Sequence, residues 1–279
     1  MADGDRELTE IDREALRDAF DKLENPSLVV RLSSAFGMPV EVVARQLGRK
    51  APDAVVDAVT QSTRKALELA MRGSVLTMKA AETVPASPRI HAAAAATTGA
   101  VAGFLGVQAL LVELPLTTGI MFRSMADIAR AEGESPGDPE TIMNVMQVFA
   151  LGSGVSDADD AAETSYYGAR LALGKAVTEA LHHVTRYGVA NAGAPALVRL
   201  VAAVANRFGI VVTQKAMAQA IPLIGAIGGG LVNTVFISHF QDMARGHFTI
   251  RRLERRYAPE VVQAAYQSLR DRKGPPATR

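Results

Sequence analysis

The sequence predicts an all-α protein, a compact multi-helix bundle, from three observations. Aromatic residues make up only 5% of the 279 residues and Trp is absent, while Ala and the unbranched side chains that lose little freedom in a helix are abundant. Apolar residues recur at helical rather than alternating spacing. Pro and Gly sit between the periodic stretches, where turns are expected, and strand-like runs are almost missing.

The elements follow in order. Leu8, Ile11, Leu16, Phe20 and Leu23 fall on one face of a charged first helix that Pro26 ends at Asn25, with acids at its start that suit a helix N-terminus. Short helices are predicted over 27–36 and 39–47, separated by Gly37 and stopped by Gly48. Asp53 reads as the N-cap of a long amphipathic helix carrying Val56, Val59, Leu67, Met71, Leu76 and Met78, closed by Pro85 and Pro88. Another long helix is expected from Ser87 through HAAAAATTGAVAGFLGVQALLVE, with Pro115 as a break or kink before a helix to Ala131. EGESPGDPE (132–140) is a turn by composition, followed by a helix to Ala150, the loop LGSGVSDADD, and a helix capped by Asp159 or Asp160 that reaches Tyr187. The last third reads as helices over 195–208 and 210–220, a break at Pro222, a Gly-rich helix to Arg245 and a basic helix from Thr249.

Two stretches, Ile90 to Val112 and Ala216 to Gln241, carry no formal charge. Both exceed the roughly 18 to 20 residues that suggest a bilayer span. They are built largely from Ala, Gly and Thr, however, and insertion depends on Leu, Ile, Phe and Val. With a mean hydropathy of +0.12 for the chain, two Ala- and Gly-rich central core helices are the preferred reading. Each run leads to an Asp and an Arg three apart, Asp127 with Arg130 and Asp242 with Arg245. Aligning the two aspartates also pairs Ile120 with Val235, Met125 with Phe240, Ile128 with Met243 and Ala129 with Ala244, a short match that fits a weak internal duplication.

The absence of Cys excludes disulfides, thiol nucleophiles and thiolate metal sites. The acidic start, MADGDRELTEIDREALRDAF, lacks the pattern of an export or transit signal, so a cytoplasmic protein is expected. Net charge is only +1, giving weak attraction for nucleic acid. The ends nevertheless differ: residues 1–26 hold nine acidic and four basic side chains, and residues 245–279 hold nine basic and three acidic ones. Three segments are expected, an acidic helix over 1–26, a helical domain over 27–270 and a disordered tail over 271–279.

Familiar catalytic patterns fail on spacing. GARLALGKA puts five residues between Gly168 and the Gly174–Lys175 pair, where a phosphate loop needs four. GAIGGG at Gly225 has neither the spacing nor the preceding strand of a dinucleotide fold. Ser153, in LGSGV, is not on a GxSxG elbow, and the adjacent His182 and His183 point to different faces of a helix. His239 and Asp242, three apart on one helix face and perhaps joined by His247, form the best metal-like spacing, but two ligands are not a site and intrahelical ion pairing explains Asp242 as well. No cofactor is therefore expected. Glu113, set between uncharged segments, needs a partner if buried, and Arg123, Arg130 or Arg245 is expected to supply it.

The blocks ELPLTTGIMFRSMADIARAEGE, NVMQVFALGS, YYGARLALGKAV and PALVRLVAAVANRFGIVVTQKAMAQAIPLIGAIGGGLVNTVFISHFQDMARGHFTIRRLERRY, in this order, resemble the EcsC family of bacterial proteins. The likeness spans roughly residues 25 to 266 and transfers no catalytic residues. RIHAAAAATTG and IPLIGAIGGGLVNTVFISHFQDMARGHF also resemble paired helical segments of a domain linked to some bacterial GTPases and inner-membrane proteins, which would imply helical pairs working at or near a membrane. Arg251, Arg252, Arg255 and Arg256 flank the apolar face of Ile250, Leu253, Tyr257 and Val261, and such a helix can meet anionic lipid at about 1 kcal/mol per charge. The competing expectation is that these arginines pack on the acidic N-terminal helix. The leading functional expectation is a non-enzymatic protein at the inner membrane face, partnered by anionic lipid or a membrane complex. The alternatives are a hydrolase or lipid-modifying enzyme with a pocket around Glu113, His239 and Asp242, and a soluble protein-binding scaffold.

Overall fold

A computed structural model describes residues 7–24, 28–80, 110–152, 166–188, 193–219 and 222–273, with the side chains of 74–80, 110–112 and 222–228 excepted. Among the described residues there are ten helices and no strand. The Ala-rich segment from Ser87, most of the first uncharged run, the Asp159 and Asp160 cap, Ser153 and residues 274–279 of the expected 271–279 tail lie outside them, while residues 271–273 of that tail are helical.

Helix α1 spans Glu10–Glu24 and buries Leu16, Ala19, Phe20 and Leu23. Ile11 breaks the expected face at 80% exposure, and Asp12 is turned inward in its place. Helices α2 (Leu28–Phe36) and α3 (Val40–Leu47) are separated by Gly37 at φ +62°, a left-handed conformation that favours Gly. Helix α4 spans Asp53–Ala80, and the Val55 and Val56 amides bond the Pro52 carbonyl. Asp53 is thus the first helical residue rather than the cap, and its carboxylate still suits the positive end of the helix. Val56 is 45% exposed, so the buried stripe runs instead through Val59, Leu67 and Met71.

Helix α5 (Leu110–Ala131) carries Pro115 inside it, so of the break or kink expected there, the break does not occur. The turn to α6 (Pro139–Leu151) uses Gly133 at φ +85° and places Pro139 at the first helical position, where its missing N–H costs nothing. Helix α7 spans Tyr166–Tyr187. Two expected helix boundaries in the last third are overturned. Residues 195–219 form one helix, α8 (Pro195–Gln219), through Gly209, and residues 222–257 form one helix, α9 (Pro222–Tyr257), through Gly246. A single Gly costs about 1 kcal/mol in a helix, less than the packing that spans it supplies. Gly246 also has a packing reason, because a Cβ there would lie 2.6 Å from Leu23 Cγ and 3.1 Å from the Ala19 carbonyl oxygen. The backbones of α1 and α9 touch at this point. Ala258, at φ +76°, ends α9, and Pro259 opens α10 (Pro259–Lys273).

The centre of the bundle is α6, in which every residue from Thr141 to Leu151 is buried. Phe149 meets Phe122 of α5, Phe208 of α8 and Phe240 of α9 at centroid separations of 6.4, 4.9 and 5.7 Å. A helix apolar on all sides is one surrounded by others. Within the described part of the second uncharged run, Val232, Phe236, Ile237 and Phe240 are buried, which makes this part core. Of the positions paired by the internal match, Met125, Phe240, Ile128, Met243, Ala129, Ala244 and Val235 are buried, and Ile120 is partly buried against the same core. The repeated pattern therefore places equivalent residues against the core on α5 and α9.

Candidate functional site

Four polar groupings contain the residues that chemistry singled out. Glu113, near the start of α5, meets Lys215 of α8 at 2.5 Å, with side-chain exposures of 3% and 0%. None of the three expected arginines is its partner. Thr117 Oγ1, one turn on, lies 3.5 Å from the same carboxylate oxygen, and the Lys215 ammonium sits 4.8 Å from the centroid of Phe236. Burial pushes Lys215 below the usual lysine range even though Glu113 pulls it upward, so pairing does not fully offset the loss of water. The sequence carried a signal for this residue, because Lys215 is the sole charge between Phe208 and Gln219.

The second grouping centres on His247 of α9, which is fully buried. Its Nδ1 lies 3.0 Å from Tyr166 Oη and its Nε2 lies 3.1 Å from Asn144 Oδ1. Asn144 gives its amide N–H to the Glu140 carbonyl at 2.8 Å, which leaves Oδ1 to accept from His247 Nε2–H. Tyr166 then donates to Nδ1 while its oxygen accepts from Arg170 Nη1 at 3.1 Å. The donors run in one direction from Arg170 through Tyr166 and His247 to Asn144, and the bond from Tyr166 to Nδ1 requires a neutral imidazole. Burial, with Arg170 and Arg251 nearby, holds His247 well below the usual histidine range. Arg170 also forks onto Glu254 at 2.7 and 3.1 Å, and Tyr167 donates to the same carboxylate. Asn144, Tyr166, Arg170 and Glu254 escaped the sequence reading because α6, α7 and α9 bring them together from distant positions.

His239 and Asp242 share a face of α9 but bind different groups. His239 Nε2 lies 2.8 Å from the Gly152 carbonyl oxygen and so carries the proton. Asp242 pairs with Arg245 at 2.7 Å and with Arg31 of α2 at 2.8 Å. His247 is committed elsewhere, and no group of three or more potential metal ligands occurs among the described residues. On α5 the equivalent Asp127 pairs with Arg130 at 3.2 Å and Arg123 at 3.6 Å. Glu113 is held by Lys215 rather than by either of these histidine and aspartate contacts. The Gly168–Lys175 stretch lies within helix α7, where no phosphate-wrapping loop can form.

The four arginines after the second run belong to the end of α9, and each meets acid. Arg251 contacts Glu134 at 2.9 Å and Glu140 at 2.7 Å, and Arg255 contacts Glu134 and the Glu132 carbonyl. Arg252 contacts Glu132 at 2.7 Å and Asp12 at 3.2 Å, and Arg256 contacts Asp12 at 3.0 Å. Asp12 also accepts from Tyr257 Oη at 2.7 Å and from Thr9 Oγ1 at 2.9 Å. The arginine row thus clamps α1 and the turn before α6 onto α9. Replacing Arg252 and Arg256 together by Ala is expected to lower stability by about 1–3 kcal/mol, because Asp12 stays buried with its charge-assisted bonds removed. Urea unfolding would check this, with a fall in midpoint expected whether or not lipid is present.

Sealed polar contacts around a buried central helix define a protein of the all-α class whose inner charges hold helices together. The EcsC protein family model matches residues 29–253, and the chain belongs to that family. Helix α1 and all of α10 lie outside the matched span. Comparison with curated proteins and comparison with solved structures each found no match.

Proposed function

We propose that this EcsC protein acts by binding rather than by catalysis and attaches peripherally to the inner membrane face. The observation that carries the reading is the asymmetry of α8. By length and composition this helix is apolar enough to cross a bilayer, yet only 44% of its most apolar stretch is buried. Val198 and Ile210 are 48% and 44% exposed, while Lys215 on the same helix is turned inward to Glu113. Large apolar side chains left at the surface of this helix, beside the exposed Arg199 and Asn206, support shallow contact with lipid or with a membrane complex. The non-catalytic half of the proposal is supported by the occupation of Glu113, His239 and Asp242 in separate internal contacts.

Vesicle co-sedimentation tests the reading. The protein is expected to pellet with vesicles of phosphatidylcholine and phosphatidylglycerol. Val198→Asp with Ile210→Asp is expected to cut the bound fraction several-fold while the melting temperature holds, since both side chains are half exposed. Wild-type protein that stays in the supernatant with anionic and with zwitterionic vesicles would overturn the proposal.

A further inference from the structure

Helices α1 and α10 enclose a groove of about 290 Å³ that none of the contacts above uses. Leu8, Leu16 and Leu269 line it together with Arg13, Arg17 and Arg272. Arg13 is shared with Glu7 at 2.9 Å and Glu10 at 3.6 Å. Arg17 and Arg272 have no ion-pair partner among the described residues, in contrast to the acid-bound row on α9. Ser268 adds a hydroxyl to the wall; it donates to the Ala264 carbonyl at 3.0 Å and keeps its lone pairs free to accept.

Contacts between α1 and the segment that carries α10 hold the groove in shape. Tyr257 is bonded to Asp12, and Tyr266 donates to Glu24 at 2.7 Å and meets Phe20 edge-on at 4.9 Å. A site fixed before its ligand arrives loses less freedom on binding. Both walls lie outside residues 29–253, so the groove belongs to the flanks of this chain rather than to the span the family model matches.

We infer that the groove between α1 and α10 binds the headgroup of a phosphate monoester lipid, with its phosphate between Arg17 and Arg272 and its first methylenes against the half-buried Leu269, over a floor of the buried Leu8 and Leu16. Guanidinium groups match phosphate oxygens in pairs of parallel bonds, and a monoester phosphate brings the charge of about −1.5 to −2 that two unpaired arginines can take. The leucine lining favours an amphiphile over a free anion. The inference deepens the membrane reading and rests on it for the source of the ligand.

Calorimetric titration of the full chain with dihexanoyl phosphatidic acid below its micelle concentration tests the site. Saturable binding is expected, weakened at least tenfold in Arg17→Gln with Arg272→Gln, whose exposed positions leave the melting temperature unchanged. Dihexanoyl phosphatidylcholine and inorganic phosphate should both bind at least tenfold more weakly than the phosphatidic acid. Absence of saturable binding, or equal binding by the double variant, overturns the site. Equal affinity for inorganic phosphate overturns the lipid assignment. Titration without vesicle pelleting would sink the membrane reading and leave the groove standing, whereas vesicle binding without titration would do the reverse.

Discussion

Lys215→Met alone is expected to lower the unfolding free energy by about 3–5 kcal/mol, because it strands the Glu113 carboxylate in a sealed interior. Replacing both partners, as Lys215→Met with Glu113→Leu, is expected to return the protein to within about 1–2 kcal/mol of the parent or above it, since neither charge then has to be desolvated. Urea denaturation of the parent, both single variants and the double variant gives the coupling directly. If Lys215→Met cost less than about 1 kcal/mol, the pair would have to be exposed to water in solution. Burial holds the Lys215 pKa down while the Glu113 contact raises it, and the pair fixes how α5 and α8 register, because any other register would leave one charge alone.

Between pH 6.5 and about 4 the protein is expected to lose stability steeply through His239 and His247. Burial, reinforced by Arg31 and opposed by the Gly152 carbonyl and Asp242, holds His239 down to about 4, and His247 is also well below its usual range. An unfolded histidine titrates near 6.5, so below that pH the unfolded chain takes up protons that the folded chain refuses. Stability is therefore complete above about pH 6.5 and falls as pH drops, by about 1.4 kcal/mol per unit for each histidine. His239 alone accounts for about 3 kcal/mol by pH 4 on that scale. Burial pushes Asp12 and Glu134 upward, but hydrogen bonds from Tyr257, Thr9 and Arg252 to Asp12, and from Arg251 to Glu134, leave both carboxyls lowered. Their contribution is present above the normal carboxylate range and is lost only at lower pH, so it does not mask the histidine window. Urea midpoints at pH 7, 6 and 5 would measure the slope, and His239→Gln should remove about half of it. A flat profile from pH 7 to 5 would mean that both imidazoles are reached by protons in the folded state.

Much of the fold was legible because helix formation depends on local patterns. The ends of α1 and α3 were readable from Pro26 and Gly48. Gly209 and Gly246 misled in the opposite direction, since a lone Gly signals a break locally but allows α9 to approach α1 in the folded protein. Ile11 and Asp12 exchanged roles for a similar reason. Periodicity sends an isoleucine inward, but Arg252, Arg256 and Tyr257 draw the adjacent carboxylate inward instead.

The site was less legible because its residues meet only across helices. Glu113 could be singled out by its isolation in an uncharged region, but its partner lay 102 positions away on a helix that the sequence divided in two. The four arginines showed that a basic face existed and could not show that Asp12, Glu132, Glu134 and Glu140 stand against it. By itself the sequence determined the helical class, the family and some of the helix ends, all of which depend on the order and identity of neighbouring residues. Tertiary structure decided which charges are neutralised, which histidine nitrogens carry protons and where unpaired arginines line a groove, because electrostatic pairing depends on distance in space and the chain order does not contain it.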